Sequence, residues 1–232
     1  MSDDIYVKHV ERRDHRLGRF VAHDPRSRSF PRRATVDTST WRTKKIRIYD
    51  PRVNPNQCHG ECTWCTQAMM FNAVGNRKKG KILTMEDAHR GYSLATQIDP
   101  FAGSWPPDDT GSNGLAAAKA AQQLGLGGTY RWFFGGADEI VQHFMDDEDP
   151  IPVSAGSWWY EGMFEQTDRG FIIPTGYRAG GHQYLLRGYI EPLDAIVGRC
   201  WWGPKFRDFL IKREHMNDLL MDDGDAHIQE RA

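Results

Sequence analysis

Three of the chain's four cysteines fall in one short run, Cys58-His59-Gly60-Glu61-Cys62-Thr63-Trp64-Cys65. A thiol becomes a nucleophile when a lowered pKa or a nearby base gives it thiolate character, and acyl chemistry also needs donors for the oxyanion that forms. Cys62 meets part of both needs if it lies in the first turn of a helix, where unpaired N–H groups and the positive end of the dipole favour thiolate and oxyanion alike. Gln57, a few residues upstream, offers a side-chain N–H to the same oxyanion, and Gly60 lets a substrate backbone approach closely. His182 follows the pair Gly180-Gly181 directly and enters a strand-like run, which makes it the candidate base.

The same cysteines support two other chemistries. Cys58-x-x-x-Cys62-x-x-Cys65, with the aromatic Trp64 before the last thiol, is the spacing by which radical S-adenosylmethionine enzymes hold a [4Fe–4S] cluster, and Gly135-Gly136 would stand for their glycine pair. That fold needs repeated βα units, whereas the second half of this chain reads as consecutive strands. A zinc site from Cys58, His59, Cys62 and Cys65 is awkward, because nearly contiguous ligands close a tetrahedron poorly without a distant Cys200 or His182. Packing as small apolar residues accounts for Cys58 and Cys65 without any chemistry.

The elements that must position these residues can be read coarsely. Residues 1–45 are Arg-rich, broken by Pro25 and Pro31, and read as an extended arm on the body, either inhibitory or a packing strap. Ile46-Arg47-Ile48-Tyr49 alternates like a short strand before a turn-rich stretch. From Cys62, apolar and small residues recur at three and four, predicting a helix with Cys62 in its first turn. Thr84 and Asp87 predict a capped start for a helix over 88–98; Leu115–Leu124 ends at Gly125, and 138–144 is a fourth helix. After Pro150, strands are expected at 151–153, 171–173, 183–189, 195–197 and 206–211. Asp108-Asp109-Thr110-Gly111 reads as a turn capping the Leu115 helix rather than a carboxylate pair. Trp158, Trp159, Tyr160, Trp201 and Trp202 read as core or cleft wall, one of them shielding His182 from water.

Apolar residues make up 39% and charged residues 26%, a folded globular composition. The formal net charge of −1 gives no electrostatic reason to expect nucleic acid as a partner. No run is long and apolar enough for a membrane span, and the polar start lacks a signal-peptide core, so the expected location is the cytoplasm.

Five segments in order carry a resemblance to a known family: His23-Asp24-Pro25-Arg26-Ser27-Arg28, Asn56-Gln57 through Gly60-Glu61-Cys62-Thr63, Pro106-Pro107-Asp108-Asp109-Thr110-Gly111-Ser112, Gly180-Gly181-His182, and Arg199-Cys200-Trp201-Trp202-Gly203. Together they resemble the papain-like cysteine peptidases, in a branch common among bacteriophage and bacterial proteins. The resemblance implies an α+β fold, with a helical lobe carrying the Cys, an antiparallel β-barrel-like lobe carrying the His, and a cleft between them. By it, residues 46–150 form the helical lobe, 151–225 the β-rich lobe and 226–232 a tail.

The resemblance further implies that Cys62 attacks a peptide carbonyl, His182 shuttles the proton, and Gln57 with the Cys62 N–H holds the oxyanion. Gly60, Glu61, Trp64, Gly181 and Trp202 would line the cleft. No cofactor is implied and no metal is needed for the chemistry. Partners would be a peptide or protein substrate, virion proteins among them, and the protein would be host-cytoplasmic or virion-associated. The sequence departs from the family at two places: the Gln57-to-Cys62 spacing is one residue short, and Cys200 stands where the family has the Asn that orients the base. A Cys hydrogen-bonds weakly. A catalytically weakened or binding-only relative, structural in a virion, is therefore the alternative reading.

Overall fold

Every residue of Cys62–Phe71 is buried, and this run forms helix α1 at the centre of the molecule. A helix covered on all sides needs no polar face, but its internal polar groups need partners. Thr66 donates to the Cys62 carbonyl at 2.8 Å and accepts from Trp201 Nε1 at 3.0 Å; Asn72 exchanges two 2.9 Å bonds with the backbone of Leu83. The computed structural model describes residues 17–21, 25–32, 35–47, 57–74, 76–77, 80, 82–146, 148, 150–202 and 208–232.

Two further helices pack on α1 to make the helical side. Helix α2, Met85–Ile98, starts as expected: the Asp87 carboxylate accepts from the Thr84 N–H at 2.9 Å. Helix α3, Gly114–Gln123, is alanine-rich and ends before Gly125, whose φ of +66 is a left-handed stop that glycine adopts freely. Its cap is Asn113, whose side chain accepts from the Ala116 N–H at 2.8 Å, and not the Asp108–Gly111 turn. Trp64, Phe71, Tyr92 and the alanines of α3 form one apolar cluster, with the Trp64 ring so close to Gly91 that a Cβ there would come within 2.0 Å of it.

Helix α4, Gly136–Asp146, and helix α5, Arg213–Met221, lie with the sheet. Seven strands make that sheet among the described residues: β1 Lys44–Lys45, β2 Gly127–Trp132, β3 Val153–Tyr160, β4 Arg178–Ile190, β5 Ala195–Arg199, β6 Asp208–Lys212 and β7 Asp225–Arg231. They pair antiparallel in the order β2-β7-β3-β4-β5-β6, with β1 on the far end of β4. The fold is α+β as expected, but the sheet is open rather than barrel-like.

The division of the chain also differs from the expectation. The segment expected as a tail supplies β7, which sits between β2 and β3, and β2 comes from the helical half. Residues 171–173 contribute a single bridge, Phe171 to Leu210, instead of a strand. Of the Ile46–Tyr49 strand, residues 48 and 49 lie outside the described residues, as do His23, Asp24, Asn56 and Gly203 of the resembling segments.

Candidate active site

The loop before α1 is held by its own side chains. Glu61 stands at the N-cap of α1; its Oε1 accepts from the Cys58 N–H at 3.2 Å and lies 3.6 Å from Cys58 Sγ, while Oε2 faces His89 Nδ1 at 3.4 Å. Asp109 Oδ1 accepts from both the Gly60 N–H at 2.7 Å and the Tyr92 hydroxyl at 2.8 Å, and that hydroxyl in turn accepts from the Gly111 N–H at 2.8 Å. One carboxylate thus ties the loop before Cys62 to α2 and to the glycine turn before α3. The sequence marks Asp109 as a turn residue but not its bonds to Gly60 and Tyr92, because neither pattern nor spacing marks a bond between residues so far apart.

Cys62 opens α1 and is fully buried. Its thiol meets the backbone of β4 at Gln183, the residue after His182, and the backbone of Gly18 from the arm. Burial pushes the thiol up to about 12, against the downward pull of the Gln183 and Gly18 hydrogen bonds and of the Arg19 guanidinium. The expected lowering at a helix N-terminus is therefore overridden in this closed arrangement: desolvation outweighs the dipole. His182 is also fully buried; Trp202 stacks on its ring at 4.3 Å and 24°, and Trp159 meets it edge-on at 5.1 Å and 81°. Cys200 is buried nearby, its thiol raised by burial and by the proximity of Cys62.

Residues 17–20 occupy the space above Cys62. Arg19 donates its N–H to the Gly181 carbonyl at 3.1 Å, Phe20 donates to the Ser112 carbonyl at 2.9 Å, and Ser112 donates to the Gly18 carbonyl at 2.9 Å. The arm therefore pairs with Ser112 in parallel and with the entrance to β4 on its other side. Glycines make this approach possible. A Cβ on Gly18 would come within 2.1 Å of the Gly60 carbonyl oxygen, one on Gly111 within 2.3 Å of the Gly18 oxygen, and one on Gly181 within 2.1 Å of the Arg19 oxygen.

The fold, with α1 to α3 packed beside the antiparallel sheet, recurs in solved structures. Xylellain, a cysteine protease from Xylella fastidiosa, matches with a TM-score of 0.68 at 13% identity, over 93% of this chain and 96% of its own. The chain has the papain-like cysteine-protease fold. Procathepsin B S9 from Trypanosoma congolense matches at 0.60 and 11% identity, over 93% of this chain and 86% of its own. Procathepsin L2 from Tenebrio molitor larval midgut matches at 0.51 and 15%, over 92% and 77%. No family model and no curated protein matches the sequence.

Within this papain-like fold, the residues singled out from the sequence are not all brought together. Cys62, the His182-Gln183 segment, Cys200, Gly60, Gly181 and Trp202 lie around the Cys62 thiol and residues 18–19. Trp64 does not: it points from α1 into the cluster shared with α2 and α3, because the i+2 position on a helix faces away from the first residue. Glu61 turns toward Cys58 and His89. Gln57 is held at the site by its N–H to the Trp201 carbonyl at 2.8 Å, but its Nε2 donates to the His59 carbonyl at 2.8 Å.

The cysteine run does not assemble a cluster site. Cys62 faces Gln183 and Gly18, whereas Cys58 faces Glu61. Among the described residues, the donors that lie within 4.8 Å of one another are those of Cys58, Glu61 and His89, a thiol, a carboxylate and an imidazole of the types a thiophilic divalent cation takes. The antiparallel sheet also lacks the βα alternation that the radical-enzyme reading needs. Among the described residues, no helix is long and apolar enough to cross a membrane.

Proposed function

We propose that the chain is a papain-like cysteine peptidase or amidase, with Cys62 as nucleophile and His182 as its base, held shut in this arrangement by residues 17–20. The observation that carries the reading is the meeting of the Cys62 thiol with the β4 backbone beside His182, where the backbone of Gly18 also reaches the thiol. Procathepsin B and procathepsin L2 are by name proenzymes, which fits a blocked state.

With the arm displaced, His182 takes the Cys62 proton as the sulfur attacks the substrate carbonyl carbon. The oxyanion lies against the Cys62 N–H at the positive end of α1, joined by Gln57 Nε2 once that group leaves the His59 carbonyl. The leaving amine departs with the proton from His182. Water then attacks the thioester, giving its proton to His182, and the acid leaves as the thiol is restored. Trp202 keeps bulk water from the imidazole. The resemblance to phage-borne members supports substrates among virion or host proteins.

A second reading, a catalytically weakened or binding-only relative, is favoured by one specific observation: a buried, raised thiol at Cys200 stands where an orienting amide is expected. Alkylation separates the two. Each of the four thiols is followed by mass spectrometry during iodoacetamide treatment of a Gly18→Leu protein, in which a side chain cannot fit against Gly60. The peptidase reading expects Cys62 to label fastest near neutral pH and to slow at least tenfold when His182→Ala is added. Four thiols of similar rate, indifferent to His182, would establish the binding-only reading.

A further inference from the structure

Cys58 is exposed rather than packed away as a small apolar residue, and it belongs to a cluster drawn from three places in the fold. Cys58 lies in the loop before α1, Glu61 at the N-cap of α1 and His89 on α2. The carboxylate is the middle member: its Oε1 lies 3.6 Å from Cys58 Sγ and its Oε2 3.4 Å from His89 Nδ1. A tetrahedral zinc site, with bonds of about 2.3 Å to sulfur and about 2.0 to 2.1 Å to nitrogen or oxygen, sets its ligand atoms about 3.3 to 3.6 Å apart. Both contacts fall in that span, and the three donor atoms all lie within 4.8 Å of one another.

A second observation concerns Glu61 alone. The residue is fully buried, yet its side chain makes no cap bond to α1, and its Oε2 accepts no hydrogen bond among the described residues. A buried carboxylate oxygen needs a donor or a cation, and what faces this one is a ring nitrogen. The ligands are also held in place independently. His89 and Tyr92, three residues apart, share the side of α2 turned to the loop, and Tyr92 is tied through Asp109 to the Gly60 N–H. Trp105 packs on the His89 ring at 5.5 Å and on the His59 ring at 5.1 Å, between ring centres.

We infer that Cys58, Glu61 and His89 form a binding site for a thiophilic divalent cation, zinc above all, which staples the loop before Cys62 to α2. One thiolate, one carboxylate and one neutral imidazole carry two negative charges, which the cation balances. A thiolate among the ligands selects zinc over magnesium or calcium, which take oxygen ligands. Binding forms the bonds from the metal to Sγ, a carboxylate oxygen and Nδ1, and the Cys58 proton passes to solvent with no change of oxidation state. Water completes the fourth position, as in other sites with three protein ligands. The ligand set shares only Cys58 with the contiguous set Cys58, His59, Cys62 and Cys65, and it stands whether or not Cys62 is a nucleophile.

The test uses the untagged full-length chain, reduced and stripped of metal with a chelator, then titrated with zinc in the calorimeter and with cobalt(II) in the spectrophotometer. One zinc per chain is expected, with a higher melting temperature when it is bound. Cobalt(II) should give a thiolate charge-transfer band and the visible bands of a tetrahedral ion. Cys58→Ser should abolish the charge-transfer band and weaken zinc binding at least tenfold, while the metal-free melting temperature stays close to that of the native chain. His89→Gln should weaken zinc at least tenfold too, and it carries the affinity comparison if Cys58→Ser does not fold. Cys62→Ala should keep both the zinc and the band. A band that persists in Cys58→Ser and disappears in Cys62→Ala would place the metal on the Cys62 thiol and overturn the inference. Absence of zinc binding, or binding indifferent to Cys58→Ser and His89→Gln, would overturn it as well and leave Glu61 and His89 as an ion pair only.

Discussion

Trp202 lies nearly flat on His182, with 4.3 Å between the ring centres and 24° between their planes. A flat indole excludes water from one side of the imidazole and fixes its plane, while leaving both ring nitrogens in that plane. Replacing Trp202 by Ala should remove about 3 to 5 kcal/mol of stability, as for large aromatic core truncations. It should also slow Cys62 alkylation in the arm-displaced protein, while Trp202→Phe restores most of the rate. Urea unfolding and labelling rates check the two parts separately.

The closed state predicts a distinctive pH response for Cys62. With its thiol raised to about 12 by burial, the thiolate fraction of the native protein increases about tenfold for each pH unit through the neutral and mildly alkaline range. Iodoacetamide labelling of the native chain should therefore climb along that slope without levelling off. Displacing the arm with Gly18→Leu removes both the burial and the Gly18 hydrogen bond, and removal of burial is the larger effect. The rate should then be higher at neutral pH and level off at a lower pH than in the native chain. A profile identical in the two proteins would show that the arm does not shield the thiol.

Asp109 joins three segments through Gly60 and Tyr92. Hydrogen bonds to a charged group contribute roughly 1.5 to 3 kcal/mol, so Asp109→Ala should destabilise the chain by an amount in that range. Because the Gly60 end of the tie positions the loop before Cys62, the same substitution in the arm-displaced protein should lower Cys62 reactivity several-fold. Tyr92→Phe, which removes only the α2 end, should cost less on both counts. Denaturant melts and alkylation rates of the three proteins give the comparison.

Asp99 supplies a pH dependence of stability. Burial raises its carboxyl to about 6, opposed by hydrogen bonds from Ser112 and Phe101. An unfolded Asp ionises near 4, so between roughly pH 4 and 6 the folded state holds a proton that the unfolded state has released. Stability from this residue is thus present at the acid end and is lost as the pH rises through about 6. Asp99→Asn should flatten that part of the profile of melting temperature against pH. A wild-type decline that survives in Asp99→Asn would assign it elsewhere.

The parts of the fold legible in the sequence are those with a local cause. Helices α1 to α4 announce themselves through periodicity, through the Thr84–Asp87 cap and through the Gly125 stop, and each appears within a few residues of its expected place. Strand β7 is illegible because most of its buried residues are polar: His227 and Gln229 are fully covered and engage Gln67 of α1, so the segment reads as a hydrophilic tail. The candidate site was half legible. Cys62 and His182 stand out by residue type and flanking glycines, but Trp64, implied by the resemblance as a cleft residue, faces the cluster shared with α2 and α3. Nothing near Arg19 or Asp225 tells that two residues some two hundred positions apart form a sealed ion pair.

The place of β7 between β2 and β3 also sets an order of events during synthesis. Helix α1 and the whole run from β3 to β6 leave the ribosome before β7, so the edge of β3 waits without its partner and Arg19 without Asp225. Domains generally fold as their segments emerge, and this sheet closes only after β7 has emerged. The thiol made early is thus matched with its surroundings late, and residues 17–20, the first of the described chain to appear, are among the last that can settle into place.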